Sequence, residues 1–168
     1  MRDYDFDVVV DWIAFTPEYV QIDIDLFTGK TKQYIFISSA SAYQKPQRNY
    51  VITEETPLEN PYWEYSRNKI ACEQLLIEAH KSGGFPVTIV RPSHTYGNTA
   101  IPAALSSGQH PWSLVDRIRR GLPLVIHGDG TSLWTLTHHS DFSKGFVGLL
   151  GHPDARLGRP FILHLTRY

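Results

Sequence analysis

Two short apolar runs constrain this chain more than any other feature. Gln33 to Ser38 and Val87 to Val90 are uninterrupted, bounded by turn-forming residues and too short for helices. A strand that is apolar on both faces must be covered on both faces, which is the condition of a parallel sheet. Parallel neighbours need a crossover of a dozen residues or more. The sequence supplies one: Asn60-Pro61 starts a long helical pattern that runs to about His80, and Gly83-Gly84 ends it.

The same alternation extends in both directions. Phe6 to Val10 reads as a β-branched strand ending at Asp11. Pro17 to Phe27 reads as a helix, with Thr16 as N-cap, Pro17 in the first turn and Gly29 as the stop. Residues 40 to 60 hold Pro46, Pro57 and Asn60 and are expected to be a long loop. Residues 97 to 112 are expected to be a loop or lid. Leu114 to Arg120 reads as a helix ended by Gly121, and Leu124 to His127 as a short strand. Gly128-Asp129-Gly130 reads as a turn. Asp141 to Leu150 reads as a helix, and Phe161 to Leu165 as a last strand. Buried runs alternating with helices place the chain in the α/β class.

Composition narrows the function classes. The 168 residues suit one domain, and 42% apolar content is enough for a core. The net charge of −1, with interspersed signs, builds no field for nucleic acid or an anionic membrane. The single cysteine, Cys72, excludes an internal disulfide and is expected to pack on the buried helix face. No apolar stretch approaches the roughly 20 residues that span a bilayer. The first residues lack a signal-peptide core, so a cytoplasmic location is the default expectation.

The long helix indicates where chemistry sits. Tyr65, Lys69, Cys72, Leu76 and Ala79 share one face, while Arg67, Glu78 and Lys81 fall elsewhere. Tyr65 and Lys69 thus point inward at the start of the helix. Ser38 and Ser39 stand at the carboxyl end of a strand, the edge where open α/β sheets bind ligands. A free tyrosine titrates near ~10 and is a poor base at neutral pH. A cation one turn away is expected to lower that value and make Tyr65 an acid/base group, with Ser39 fixing the substrate oxygen. Tyr-x-x-x-Lys alone is more often a helix surface pair; the upstream serines raise its weight.

Three segments together carry a family resemblance: Tyr34 to Tyr43 (YIFISSASAY), Tyr65-Ser66-Arg67-Asn68-Lys69, and Val90 to Gly97 (VRPSHTYG). His127 to Gly130 and Thr137 to Asp141 add to it. In order and approximate spacing the chain resembles the extended short-chain dehydrogenase/reductases, the NAD-dependent nucleotide-sugar epimerases and dehydratases. The resemblance implies a partial Rossmann-like, doubly wound parallel sheet with helices on its faces. It implies a catalytic set of Ser39, Tyr65 and Lys69. It implies NAD or NADP held by Asp11, Ile13, Ala14, Ser38, Tyr65, Lys69, Arg91, Pro92, Ser93 and His94, and a nucleotide-sugar-type substrate. Ala40-Ser41 follows Ser39 where sugar dehydratases have Asp-Glu, which favours epimerisation or simple redox over loss of water.

The family's glycine-rich fingerprint, set between a strand and a helix, is expected upstream of these segments and is not found in that context. Residues 1–168 are therefore read as one domain, the C-terminal half of a Rossmann-like domain with part of a substrate region. Cofactor binding is expected to be weakened or lost. The strand at residues 6–10 is expected to be an exposed apolar edge through which copies of the chain associate.

The second functional reading is a non-catalytic remnant that serves as a binding or assembly module. The chain also resembles the chloroplast stem-loop-binding branch, which is associated with RNA. Arg117, Arg119 and Arg120 are the cluster that would meet phosphates, but a solvated helix face is the commoner use, and nucleic acid is not the expected partner. His138, His139 and Asp141 lack a third site at ligand spacing, so no metal is expected. Trp112 and Trp134 are expected to pack in the core or loops.

Overall fold

The fold was described from a computed structural model, which describes residues 4–99, 109–126, 129–131, 133–153 and 160–161. The two apolar runs form its centre. Strand β2 (Tyr34–Ile37) pairs in parallel with β1 (Val9–Asp11) on one side and with β3 (Val87–Val90) on the other. A short strand, Pro160–Phe161, completes the order edge to edge by pairing with β3. Helix α1 (Pro17–Phe27) joins β1 to β2, and helix α2 (Glu64–Gly83) joins β2 to β3.

Strand periodicity divides the core into two layers. Tyr34, Phe36, Val87 and Ile89 pack with Val20 of α1 and with Cys72 and Leu76 of α2. Ile35, Ile37 and Val90 face the other way, onto Phe142 and Leu149. Phe142 belongs to the helix His139–Val147, which covers that second face. The fully buried Gln33 ties this helix end to the sheet: its Nε2 donates to Leu149 O at 3.0 Å, and Gly151 N–H donates to its Oε1 at 2.9 Å. The sheet is covered on both faces, as the two apolar runs require.

Several boundaries depart from the sequence reading. Helix α2 begins at Glu64, with Trp63 at its N-cap, because Asn60 instead makes a turn by accepting the Tyr62 N–H at 3.2 Å. Its C-terminal stop is as expected: Gly84 is left-handed at φ 71°. The strand expected from Phe6 is reduced to one isolated bridge between Phe6 and Thr31 before β1. Residues 40 to 60 are a loop with internal order, containing a 3-10 turn at Ala40–Ala42 and a bridge from Tyr43 to Leu58. Residues 124–126 form no strand and are exposed; His127 lies outside the described residues, as do Gly128, 100–108 and 162–168. The helix at Ser113–Arg119 starts one residue early. The helix expected from Asp141 starts at His139 because His138 caps it, its Nδ1 facing the Ser140 N–H at 3.4 Å.

One element was not foreseen. His94–Tyr96 and Leu136–His138 pair in parallel as a separate two-stranded sheet. Three residues per strand, mixed in polarity and burial, leave no apolar run to read. Gly97 follows this sheet, where a Cβ would come within 2.1 Å of His139 Nδ1. Only glycine lets the imidazole lie against the backbone there.

Candidate functional site

The strand β2 and the helix α2 bring Ser39, Tyr65 and Lys69 to one end of the sheet. Ser39 has extended backbone just beyond β2 and caps the 3-10 turn through its Oγ, which accepts the Ser41 N–H at 3.1 Å. A line of hydroxyls runs into it. Ser66 Oγ donates to Ser41 Oγ at 2.8 Å, and Ser41 Oγ lies 2.8 Å from Ser39 Oγ. If Ser41 donates onward, the Ser39 proton is free for the Tyr65 phenol, whose titration Ser39 lowers.

Tyr65 departs from expectation in its electrostatics. Burial pushes its phenol above the ordinary tyrosine value, and the Ser39 hydrogen bond only partly opposes this. Lys69 does not deliver the expected lowering because its ammonium is directed elsewhere. It is 1% exposed and donates to Ala14 O and Ile37 O, both at 2.8 Å. It sits 4.5 Å from the Phe36 ring centre and 5.9 Å from that of Tyr65. Among the described residues it makes no ion pair, and burial holds its pKa below the usual lysine range.

The other expected cofactor residues divide sharply. Asp11 is consumed by the protein: Oδ1 accepts the Ile13 and Ala14 N–H groups at 2.9 Å each, and Oδ2 faces the Tyr34 hydroxyl at 2.9 Å. Ser38 and Arg91 turn to the fully buried Glu73. Ser38 Oγ donates to Glu73 Oε1, and Arg91 donates to the same carboxylate through Nε at 2.9 Å and Nη2 at 2.5 Å. Pro92 O accepts the Ala40 N–H at 2.9 Å, Ser93 Oγ lies 3.4 Å from Thr137 Oγ1, and His94 stands edge-on to Trp134. Ile13 is 79% exposed, and Phe15, its ring centre 6.2 Å from that of Tyr65, makes an apolar rim there, while Trp12 packs on Phe142 and Phe146.

Sequence reasoning missed Ser41, Tyr43, Ser66 and Glu73. Ser66, Lys69, Glu73 and Leu76 follow helical spacing, but polar residues on such a stripe read as solvated. Trp112 and Trp134 were expected to pack and are instead 62% and 53% exposed. Cys72 is buried as expected, and burial raises its thiol to about 11. Arg117 and Arg120 bond locally, to Pro123 O and Asp116. Among the described residues no cluster of three or more His, Cys, Asp or Glu side chains is placed to hold a metal, and no helix is long and apolar enough to cross a membrane.

The residues fit one end of a dinucleotide and not the other. Tyr65, Lys69 and the apolar rim suit a nicotinamide riboside. A pyrophosphate needs backbone donors at a helix N-terminus. The bare spacing G-x-x-G-x-x-G does occur, at Gly145, Gly148 and Gly151, and was passed over in the sequence. It lies at the C-terminal end of the helix His139–Val147, where carbonyls and the helix dipole repel an anion.

The sequence model of the NAD dependent epimerase/dehydratase family matches residues 24–162. An uncharacterized protein, y4nG, of Sinorhizobium fredii is 29% identical over 128 residues, 75% of this chain and 29% of its own length. A trifunctional UDP-glucose 4,6-dehydratase/UDP-4-keto-6-deoxy-D-glucose 3,5-epimerase/UDP-4-keto-L-rhamnose-reductase of Arabidopsis thaliana is 25% identical over 79% of this chain and 19% of its own length. The chain thus spans less than a third of these curated relatives. A UDP-glucuronic acid 4-epimerase variant from Bacillus cereus, solved with NAD and a UDP-sugar, superposes with a TM-score of 0.75 at 22% identity, over 96% of this chain and 55% of that one. A dTDP-glucose 4,6-dehydratase from Bacillus anthracis, solved with NAD, gives 0.72 at 23% identity, over 94% and 51%. At that identity these two structures show the shared fold.

Proposed function

The chain belongs to the NAD dependent epimerase/dehydratase family, and from that premise we propose that it carries the acid/base half of a hydride-transfer site for a nucleotide-sugar-type substrate. The observation that carries this reading is that one end of the sheet gathers Ser39, the half-buried Tyr65, whose phenol Ser39 holds down against burial, and the buried Lys69 one helical turn on. NAD or NADP, when bound, would supply the hydride acceptor. Tyr65, as phenolate, would take the proton of a sugar hydroxyl as the carbon beneath it is oxidised, and as phenol would return it. Ser39 would donate to the same oxygen. Lys69 would add positive charge below the phenol and has a third N–H beyond its two carbonyl bonds.

The chain is read as the C-terminal half of a Rossmann-like domain with part of a substrate region. Affinity of this chain for the cofactor is then weak, because among the described residues no phosphate cradle accompanies the nicotinamide end. Isothermal calorimetry with NAD tests the reading. Millimolar affinity or tighter, lost in the Lys69→Met variant, supports it; no heat at millimolar NAD overturns it.

A second reading is an assembly module, and the free edge of β1 favours it. Among the described residues β1 pairs only with β2, and exposed Trp12, Ile13 and Phe15 extend from it. Association of copies through this edge is compatible with either reading. Retained assembly without NAD binding would select the second reading.

A further inference from the structure

Below the Ser39–Tyr65 pair lies a buried polar network that the proton chemistry does not use. Glu73 is 0% exposed and Arg91 2% exposed. Both Glu73 oxygens are filled, Oε1 by Ser38 Oγ and Arg91 Nε, and Oε2 by Arg91 Nη2. Arg91 also donates through Nη1 to the Tyr43 hydroxyl at 2.8 Å and lies 4.9 Å from the centre of that ring. Four separate pieces of chain meet there: the end of β2, the loop after the 3-10 turn, the middle of α2 and the end of β3.

Each piece adjoins the site. Ser38 precedes Ser39. Glu73 follows Lys69 by one helical turn. Arg91 precedes Pro92, whose carbonyl holds Ala40. We propose that Glu73 is a positioning residue, which by gripping Ser38 and Arg91 together fixes where Ser39 stands relative to Tyr65. The proposal rests on the reading of Ser39 and Tyr65 as the proton-handling pair.

The physical ground is that a buried ion pair is a poor source of net stability. Desolvation of the two charges offsets most of their attraction, and apolar replacements of similar volume are often no less stable. What such a network does provide is a unique arrangement, because each member is hydrogen-bonded to another in a fixed geometry. Ser38 is the link that carries this order to the site. Its N–H donates to Val90 O at 2.7 Å and its hydroxyl to Glu73, so both the strand pairing and the helix define where the next residue stands.

The test is a pH titration of the free chain labelled with 13C at the tyrosine ζ-carbon, with Tyr65→Phe identifying the Tyr65 resonance. Ser39→Ala sets the upward shift that follows loss of the hydroxyl. The paired replacement E73L/R91M, and separately Ser38→Ala, are expected to shift the Tyr65 midpoint upward by at least half as much, although Ser39 is still present. Ser38→Thr is expected to restore the midpoint. A folded variant in which Tyr65 titrates as in the parent chain overturns the proposal; so does recovery of the midpoint without a hydroxyl at position 38. A role in stability alone would move the urea midpoint and leave the Tyr65 titration untouched. Ser38→Ala leaves the ion pair in place, so it answers even if the paired replacement does not fold. The measurement needs neither cofactor nor turnover, and a chain that binds no NAD still decides it.

Discussion

Lys69 stands one helical turn below Tyr65, yet its ammonium bonds to the carbonyls of Ala14 and Ile37 and lies 5.9 Å from the phenol ring centre. The lysine therefore braces the loop after β1 against the end of β2. Its charge reaches the phenol only through space, and burial dominates the tyrosine's titration.

Tyr65→Phe separates the chemical role from the structural one. The ring stays between Phe15 and Trp63, and only the hydroxyl and its influence on Ser39 are lost. Stability should fall by no more than about 1 kcal/mol. Hydride transfer with a nucleotide sugar should fall by about 100-fold or more, the usual worth of a general acid/base. Single-turnover absorbance at the reduced-nicotinamide band, beside a thermal melt, checks both. Retained transfer would show the assignment of Tyr65 to be wrong.

What could be read in the sequence followed from burial that runs with period. The strands at 34–37 and 87–90 and the helix at 17–27 are defined by apolar residues and punctuation, and the structure keeps them within a residue or two. The three site residues were placed by the same logic, since Tyr65 and Lys69 share the apolar face of α2. The rest escaped because it is polar and buried. Glu73, Ser66 and Ser41 look like surface residues until their partners, 18 to 35 positions away, are in place. The short pair at 94–96 and 136–138 escaped because register there is set by backbone pairing and not by a hydrophobic pattern.

Asp23 gives a pH-dependent prediction. The single Tyr34 hydroxyl proton faces two carboxylates, Asp11 at 2.9 Å and Asp23 at 2.7 Å. It can serve only one, and Asp23 is raised above its usual value by burial first, with Asp11's charge adding to it. A carboxyl raised in the folded state contributes stability below pH 3.8 and loses it as pH rises through the folded value. Asp23→Asn should therefore stabilise the chain at pH 7 by about 0.5–1 kcal/mol, since the amide donates to the Tyr34 oxygen. The gain should vanish below pH 3.8. Urea midpoints at pH 3 and pH 7 measure it, and equal gains at both would contradict the shared-proton account.

Cys72 controls part of the alkaline limb. Burial raises its thiol from 9.0 to about 11, so its contribution is intact below pH 9 and is lost as pH rises from 9 to about 11. That contribution is about 3 kcal/mol as an upper bound. Cys72→Ala should cost about 1 kcal/mol at pH 8 through the small cavity it leaves. The deficit should shrink as pH approaches 10.5. Parallel urea curves for the two proteins across that range would sink the assignment. The native thiol should also resist iodoacetamide at pH 8.

The edge of β1 supports the last prediction. Its outer hydrogen-bonding groups have no strand partner among the described residues, and Ile13 and Phe15 stand beside them at 79% and 47% exposure. Apolar side chains flanking an unpaired edge favour strand addition from another copy. The chain should sediment as a dimer or larger species at tens of micromolar. The paired change I13D/F15D puts like charges on the facing copies and should return it to monomer. Neither residue contributes a side chain to the two main core layers, so the fold should persist by circular dichroism. A parent chain that sediments as a monomer at that concentration would remove the association, and an I13D/F15D protein that still dimerises would move it to another face.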